Sequence, residues 1–272
     1  MNMTGLFNKT YDKAPGNILQ EMYLKHRLKT ILQNYQDSEA SFIEIGSGSG
    51  NMSRILLDMG LHGIGFELNE EACRINSIKN EKFIKSNTYK IINENYFAYV
   101  GKEFADVIIS SHVLEHMLDD DLKKFFNKSY YLLKDKGRII SLVPACMRCW
   151  GIEDETAGHY RRFEFQDFIN ISEEYNLKII NLVGLTYPLS NLVLKLSNYL
   201  IKKNESWKKD LSKDEQTKLS SSGGAKQVMY KTNFPYWFKY IVNDVTMYPF
   251  YILQRVFQKN KSSMVIYCEL QK

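Results

Sequence analysis

FIEIGSGSG, residues 42–50, is the most informative stretch of this 272-residue chain. Phe42, Ile43 and Ile45 indicate a short buried strand, and the glycines that follow let the backbone turn sharply and let a ligand approach the main chain. A helix is predicted next, in NMSRILLDMG. Strand, glycine loop and helix in this order predict a nucleotide-type cofactor site, although nicotinamide and flavin enzymes place a related loop at the same point.

Strands and helices alternate from the strand before this loop onward. Strands are predicted in SFIEIG, HGIGFEL, TYKIINEN, FADVIISS and RIISLVP, with helices between them, across residues 41–144. LKIINLVGL adds a sixth strand and SMVIYCEL a seventh, which returns antiparallel at the end of the chain. This alternation is typical of a mostly parallel sheet with helices on both faces. We therefore predict one α/β domain over residues 1–272, with its core at about 38–187 and 263–272.

Residues 188–262 break the alternation. They contain the apolar helix LSNLVLKLSNYLI, a charged stretch, SSSGG and an aromatic segment from Phe234 to Phe257. We predict a helical and aromatic insertion that caps an acceptor site. The aromatic segment lacks the strongly basic face of a membrane-surface helix, so packing of the cap or a homodimer contact is its expected use.

Bulk composition excludes few classes of function. The net charge is +5 and the isoelectric point about 8.8, which suits an anionic or nucleotide-linked acceptor but also follows from solubility alone. Four cysteines, including the isolated pair Cys146 and Cys149, are too few for a disulfide framework. The sequence has no long apolar span and no signal peptide, so a cytoplasmic protein is expected.

Glu67 ends the second predicted strand. An acidic side chain at this point can accept hydrogen bonds from both ribose hydroxyls of a nucleoside. Alone, it would be an ordinary acid at a helix N-terminus. Its spacing from the glycine loop favours the ribose role.

Several segments together carry a resemblance to a known family: EIGSGSG, GFELNEEA, ADVIISSHVLEHMLDDD, LLKDKGRIISLVP and GHYRRFEFQDF. With them the chain resembles the class I methyltransferases of the type 11 family, strongly over residues 42–187. The resemblance implies a Rossmann-like, doubly wound sheet of seven strands, S-adenosylmethionine as the cofactor, and methyl transfer as the reaction.

The resemblance also implies which residues contact the cofactor. Gly46, Ser47 and Gly48 would line its methionine part, and Leu68 would pack on the adenine. The family commonly has Asp at the end of the third strand, where this chain has Glu94 and Asn95, and an amide oxygen can accept the same hydrogen bond. The implied cofactor set is Glu44, Gly46, Ser47, Gly48, Gly50, Glu67, Leu68, Asn95, Tyr96, Ser110 and Ser111.

SSHVLEHM, residues 110–117, places two histidines and a glutamate after the fourth strand. The string matches the H-x-x-E-H pattern of a zinc protease, but its position in a doubly wound sheet excludes that reading. Ubiquinone-pathway and small-RNA methyltransferases resemble this segment with E-x-x-E-H and bind a divalent ion there. Most type 11 relatives carry L-E-H without a metal, so we predict none. If one is bound, the ligands would be His112, Glu115, His116 and His159.

The predicted catalytic residues are His112, His159 and Arg161. His112 follows the strand from which the cofactor's methyl group should project, so it is the first candidate for the base, with His159 second. Of Arg161 and Arg162, we expect one to grip a phosphate or carboxylate and the other to pair with an acid such as Glu153, Asp154 or Glu155.

The predicted function is methylation of an oxygen on a small molecule. By resemblance, the acceptor is a sugar hydroxyl or a phosphate-type group of a surface polysaccharide precursor. DNA is excluded, because Ser110, Ser111 and His112 stand where an N-P-P-Y sequence would, and Pro144 precedes Ala145 rather than a cysteine. A metal-dependent O-methyltransferase and a catalytically silent partner subunit remain open, while the loop spacing disfavours a nicotinamide oxidoreductase.

Overall fold

The computed structural model describes residues 10–11, 13–33, 40–100, 105–221 and 234–272. Strands and helices alternate through residue 185, as the sequence predicts. The strands are β1 (Thr10–Tyr11), β2 (Ser41–Ile45), β3 (His62–Phe66), β4 (Tyr89–Ile92), β5 (Ala105–Ser111), β6 (Leu133–Pro144), β7 (Lys178–Leu185), β8 (Phe234–Pro235) and β9 (Val265–Gln271). The helices are α1 (Pro15–Leu32), α2 (Asn51–Asp58), α3 (Glu70–Lys79), α4 (Glu81–Lys85), α5 (Asp119–Leu132), α6 (Ile152–Ala157), α7 (Phe165–Glu174), α8 (Leu189–Glu205), α9 (Lys213–Ser221) and α10 (Tyr248–Val256).

Seven strands form the main sheet in the order β4-β3-β2-β5-β6-β9-β7. β9 runs antiparallel to both neighbours, and the other strand pairs are parallel. The predicted Rossmann-like sheet, with an antiparallel last strand, is confirmed. Because β2 lies between β3 and β5, the glycine loop that follows it stands at the reversal of strand order, the usual ligand position in open α/β sheets.

Both faces of the sheet are covered by helices. Phe42 of β2 belongs to one buried cluster with Leu24 and Leu28 of α1. Its neighbour Ile43 belongs to the opposite cluster with Phe125 and Phe126 of α5. Successive side chains of a strand point to opposite faces, so a strand buried on both faces is apolar at nearly every position. This double packing holds the carboxyl ends of the strands in a fixed arrangement.

The segment between β7 and β9 passes over the carboxyl edge of the sheet. The Thr217 hydroxyl of α9 lies 3.1 Å from Nδ1 of His116, and Asn69 donates through Nδ2 to the Lys218 carbonyl at 3.2 Å. Residues 222–233, which include most of SSSGG, lie outside the described residues. No helix in the described part of the chain is long and apolar enough to cross a membrane.

Candidate functional site

The glycine loop after β2 has a backbone that glycine adopts most readily. Gly46, Gly48 and Gly50 have φ of 71°, 49° and 79°, in the left-handed region that other side chains disfavour. A Cβ on Gly46 would lie 2.5 Å from Cγ2 of Val113, and one on Gly50 would lie 2.3 Å from Oδ1 of Asn76. A Cβ on Gly48 would meet no described atom within 4 Å. The loop is therefore tightly packed at its ends and open at its middle.

A buried polar network supports the loop from below. Glu44 is 2% exposed and accepts a hydrogen bond from the Ser53 hydroxyl, which lies 2.7 Å from the Tyr89 hydroxyl. Asn76 donates through Nδ2 to Oγ of Ser47 and to the Tyr89 oxygen, at 3.2 Å each. Burial raises the pKa of Glu44 to about 8. The side chains of Glu44 and Ser47, predicted as cofactor contacts, are turned into this network and away from the open side of the loop.

Glu67 follows β3 and joins it to the open middle of the loop. Its Oε2 accepts a hydrogen bond from the backbone N–H of Gly48, and its Oε1 accepts one from that of Asn69, at 2.8 Å each. A carboxylate has about four acceptor sites, so Glu67 keeps lone pairs for further donors. The arrangement fits the ribose hydroxyls of S-adenosylmethionine.

The predicted adenine contacts divide into two groups. Leu68 is 67% exposed, as expected of a side chain that a flat base would cover. Asn95 is also exposed and accepts a hydrogen bond from the Phe97 N–H. Tyr96, however, is 4% exposed, and its hydroxyl lies 3.2 Å from Oγ of Ser129 in α5. Burial raises the pKa of Tyr96 to about 12. The Tyr96 ring therefore packs in the core, and the predicted contact of Tyr96 with the cofactor stays a prediction.

The two serines that end β5 also differ in position. Ser110 is fully buried, and its hydroxyl donates to Oγ of Ser141 on β6 at 3.5 Å. Its side chain therefore faces β6 within the sheet, and its contact with the cofactor stays a prediction. Ser111 is the last residue of the strand and is partly exposed, so it stays a candidate.

His112 is fixed directly after β5 in a left-handed conformation, with φ of 55°. Its Nε2 lies 3.0 Å from Oε1 of Gln20, which belongs to α1. Its Nδ1 lies 3.5 Å from Oε1 of Glu115, and the two side chains are 43% and 0% exposed. The imidazole is thus held between a buried carboxylate and an amide, with one edge open to solvent.

Glu115 is the centre of a cluster of imidazoles. Its Oε1 lies 4.0 Å from Nε2 of His159, and one donor atom each of Glu115, His116 and His159 lie within 4.8 Å of one another. Burial opposes ionisation, but the adjacent His112, with smaller effects from His116 and His159, lowers the pKa of Glu115. Burial also lowers the pKa of His116. An ionised carboxylate facing imidazoles can hold a proton or a cation.

A cavity of about 440 Å³ opens beside His112. His159 and Arg162 line its polar end, Gln20 lines it from α1, and α8 supplies much of the remaining wall. The volume is within the range of small-molecule sites. The cavity stands at the carboxyl edge of the sheet, so it is the candidate acceptor site.

The two adjacent arginines have separate environments. Asp154 lies 2.8 Å from Nδ1 of His159 and accepts a hydrogen bond from Nε of Arg162 at 2.8 Å. Arg161 instead pairs with Asp119 at 2.7 Å, and both arginines line a second groove between α5 and α7. Arg161 does not line the cavity beside His112, and its catalytic role stays a prediction. The expected pairing of one arginine with an acid is found for Arg162.

Two site residues were missed by the sequence reasoning. Gln20 contacts His112 from α1, where it lies on the buried face of the helix between Leu19 and Tyr23. Asn76 supports the glycine loop from the buried face of α3. In both cases the available signal was a polar residue at a position whose helical spacing predicts burial.

Known proteins resemble this chain in sequence and in fold. A family model described as a methyltransferase domain matches residues 19–182, which include the glycine loop, Glu67, the His112 segment and Arg162. The match covers more than half of the chain. The chain belongs to this family. It is therefore a class I methyltransferase domain, and its cofactor is S-adenosylmethionine.

One curated relative is an uncharacterized methyltransferase of Bacillus mycoides strain KBAB4. It is 27% identical over 141 residues, which make up 50% of this chain and 64% of the relative. The chain thus spans a little under two thirds of that protein's length.

Three solved structures show the same methyltransferase fold at low identity. Magnesium protoporphyrin IX methyltransferase from Synechocystis PCC 6803, with S-adenosylhomocysteine bound, is 14% identical, with a TM-score of 0.52 over 63% of this chain and 79% of that one. The N-methyltransferase NodS from Bradyrhizobium japonicum is 15% identical, with a TM-score of 0.52 over 64% and 82%. A SAM-dependent methyltransferase from Archaeoglobus fulgidus is 12% identical, with a TM-score of 0.50 over 93% and 94%.

Proposed function

We propose that the protein transfers the methyl group of S-adenosylmethionine to an oxygen of a small-molecule acceptor bound in the cavity beside His112. The observation that carries the proposal is the position of the His112 imidazole. It follows β5 at the carboxyl edge of the sheet, lines the cavity, and has the buried carboxylate of Glu115 at 3.5 Å from Nδ1. A hydroxyl acceptor has to lose a proton during methyl transfer, so it needs a base there.

Residues that fit the cofactor are present along the adjacent edge. The open space above Gly48 admits a ligand to the main chain, Glu67 has acceptor sites for the ribose, and exposed Leu68 offers an apolar surface to the adenine. When bound, S-adenosylmethionine supplies a methyl group already activated on a sulfonium. The protein then has to align the acceptor oxygen with that group and remove a proton.

The proton step follows from how His112 is held. Glu115 stays ionised and faces Nδ1, so it favours the tautomer that carries a hydrogen there and leaves the lone pair on Nε2. Oε1 of Gln20 lies 3.0 Å from Nε2. Because a carbonyl oxygen only accepts, this tautomer requires the Gln20 amide to turn and donate its NH2 group to Nε2, or to leave. An acceptor hydroxyl that displaces Gln20 would give its proton to Nε2 as the methyl group is transferred. Glu115 is a positioning residue in this scheme.

The acceptor oxygen that we propose belongs to a sugar or to a phosphate-type group, as in a surface polysaccharide precursor. The polar end of the cavity supports a hydroxyl, since His112, His159 and Gln20 can all hydrogen-bond to it. An anionic acceptor has less support, because Arg162 is already paired with Asp154.

A second candidate is a metal-dependent O-methyltransferase. The cluster of Glu115, His116 and His159 within 4.8 Å supports it, and imidazole with carboxylate suits zinc, iron or nickel better than magnesium. His159 would bind through Nε2, since its Nδ1 faces Asp154, an arrangement common in metal sites. A catalytically silent methyltransferase-like subunit is the third alternative. Detection of methyl transfer by the purified protein would exclude it.

We also propose a cytoplasmic location and a homodimer contact. Free thiols at Cys73, Cys146, Cys149 and Cys268 suit a reducing compartment.

The exposed apolar side chains of α10, such as Ile252 and Val256, offer a surface for a second copy. Light scattering on the purified protein tests the dimer, and a monomer at micromolar concentration would contradict it.

The function is tested by incubating the protein with S-adenosylmethionine carrying a labelled methyl group and a panel of hydroxylated small molecules. We expect label in an O-methyl ether or ester of one acceptor class. Label appearing on nitrogen, or no transfer to any acceptor despite cofactor binding, would contradict the proposal.

A further inference from the structure

The cavity beside His112 has walls of two different kinds. Its polar end lies against the strand ends, where His112, His159 and Arg162 line it. The remainder is bounded largely by apolar side chains of α8 and of the segment after β8. Its apolar lining includes Leu189, Val193, Leu196 and Leu200 of α8 and Phe238, and two serines of the same helix, Ser190 and Ser197, also line it.

One face of α8 forms the long side of the cavity. Leu189, Val193, Leu196 and Leu200 recur at intervals of three and four residues and so lie on one face of the helix. The eleven steps from Leu189 to Leu200, at a rise of about 1.5 Å each, give a strip roughly 16 Å long. Val193 is 47% exposed and Leu196 is 59% exposed. The strip therefore leaves apolar area in water that a bound molecule would cover, which favours binding of an apolar group.

The charges at the polar end disfavour a highly anionic ligand. Arg162 lines the cavity, but Asp154 already pairs with it at 2.8 Å. Glu153 also lines the cavity and adds a carboxylate. A nucleoside diphosphate would need cationic or backbone donors for its phosphates, and the α8 strip offers it apolar side chains instead.

From these features we propose that the methyl acceptor is an amphiphile, with an uncharged hydroxylated head at His112 and a single apolar chain along α8. The inference rests on the proposed methyl transfer and specifies the acceptor of that same site. It selects, among sugar-type acceptors, those carried on an apolar chain over free sugars and sugar nucleotides.

The proposal is tested by displacement of an uncharged fluorescent amphiphile, N-dansyl-11-aminoundecanol, from the full-length protein. The competitors are butyl, hexyl and octyl glucosides below their micelle concentrations, with glucose and UDP-glucose as polar competitors. We expect saturable binding at one site per chain. Each added methylene should lower the inhibition constant about two- to fourfold, as burial of apolar area predicts, and the polar competitors should not displace the probe.

Two matched variants locate the binding site. Leu196→Glu places a charge on the strip and should weaken probe and octyl glucoside binding at least tenfold. Leu192→Glu, on the same helix, changes a side chain that is 77% exposed and does not line the cavity, and should leave binding unchanged. Both side chains are well exposed, so both variants should fold, which thermal unfolding verifies.

Three outcomes overturn the amphiphile: equal weakening by both variants, no dependence on chain length, or displacement by UDP-glucose. Calorimetry with S-adenosylhomocysteine on the same preparation separates this inference from the proposed function. Cofactor binding without chain-length dependence refutes only the amphiphile. Absence of cofactor binding refutes the methyl transfer itself.

Discussion

The carboxylate of Glu67 accepts a hydrogen bond from the backbone N–H of Gly48 at 2.8 Å. This bond ties the end of β3 to the open middle of the loop that follows β2. A residue expected to bind only the ribose therefore also sets the position of the loop that the cofactor approaches. Cofactor affinity and loop geometry should consequently respond to the same substitution.

Glu67→Ala should weaken binding of S-adenosylhomocysteine by about 1.5–3 kcal/mol, the usual value for hydrogen bonds to a charged group. Titration calorimetry measures the change. Glu70→Ala is the matched control, because Glu70 is an exposed acid at the start of α3. Equal affinities of the wild type and Glu67→Ala would show that the ribose is bound elsewhere.

The three loop glycines should differ in their response to alanine. Gly46→Ala and Gly50→Ala should lower the thermal stability markedly, because the added Cβ would lie 2.5 Å from Val113 and 2.3 Å from Asn76. Gly48→Ala should cost only about 1–2 kcal/mol of backbone strain while obstructing the cofactor. Thermal unfolding measures the loss of stability, and titration calorimetry with S-adenosylhomocysteine measures the loss of cofactor affinity. A Gly48→Ala variant with unchanged cofactor affinity would place the ligand away from the loop.

Glu44 should make stability depend on pH. Burial raises its pKa from 4.5 to about 8, with the negative charge of Glu67 adding to the effect and the Ser53 hydrogen bond opposing it. The folded protein therefore keeps a proton that the unfolded chain releases. Its stabilising contribution is complete below about pH 4.5 and is lost as pH rises to about 8.

The free energy of unfolding of the wild type, minus that of Glu44→Gln, should therefore fall across this pH window. Glutamine is isosteric and does not ionise, so other titrating groups cancel in the difference. Denaturant unfolding at several pH values measures it. A difference that stays constant with pH would mean that Glu44 is ionised in the folded protein.

His112→Gln should lower kcat by about 10²–10⁴-fold, the usual contribution of a general base, with cofactor affinity little changed. Glu115→Gln should lower kcat less, because it disturbs only the tautomer and orientation of His112. His26→Gln, an exposed position on α1, is the control. If His112→Gln raises KM while kcat is preserved, the acceptor oxygen is already ionised and His112 only orients it.

The metal-dependent alternative predicts that a chelator abolishes activity and that one added divalent metal restores it. His116→Ala and His159→Ala should then each abolish stoichiometric metal in elemental analysis. The metal-free mechanism predicts the opposite result. The protein should then keep full activity in chelator and contain no stoichiometric metal. His159→Ala should in that case lower stability, because Asp154 loses a buried hydrogen-bond partner.

Much of the fold was predictable from local patterns. Apolar runs that end in glycine or in an acid mark β2 and β3, and the alternation with amphipathic helices restricts the sheet to a doubly wound arrangement. The residue at the end of each strand was predictable for the same reason, since parallel strands bring their carboxyl ends to one edge. The sequence pattern was therefore enough to place Glu67 and His112 at that edge.

Side-chain direction at those strand ends was not predictable. Tyr96 and Ser110 stand next to candidate site residues in the sequence, but the twist of the chain turns Tyr96 onto α5 and Ser110 towards β6. Arg161 and Arg162 are adjacent in sequence, yet Arg161 pairs with Asp119 of α5 and Arg162 with Asp154 of α6, and of the two only Arg162 lines the cavity beside His112.

The sequence by itself determined the order of elements, the cofactor loop and the position of the imidazole after β5, because these depend on local backbone preference and on hydrophobic periodicity. Only the tertiary structure decided which polar side chains meet. Gln20 reaches His112 from 92 positions away, and α8 supplies an apolar wall to a cavity formed by the strand ends. Such contacts depend on how helices pack across the sheet, and no local pattern in the sequence records that packing.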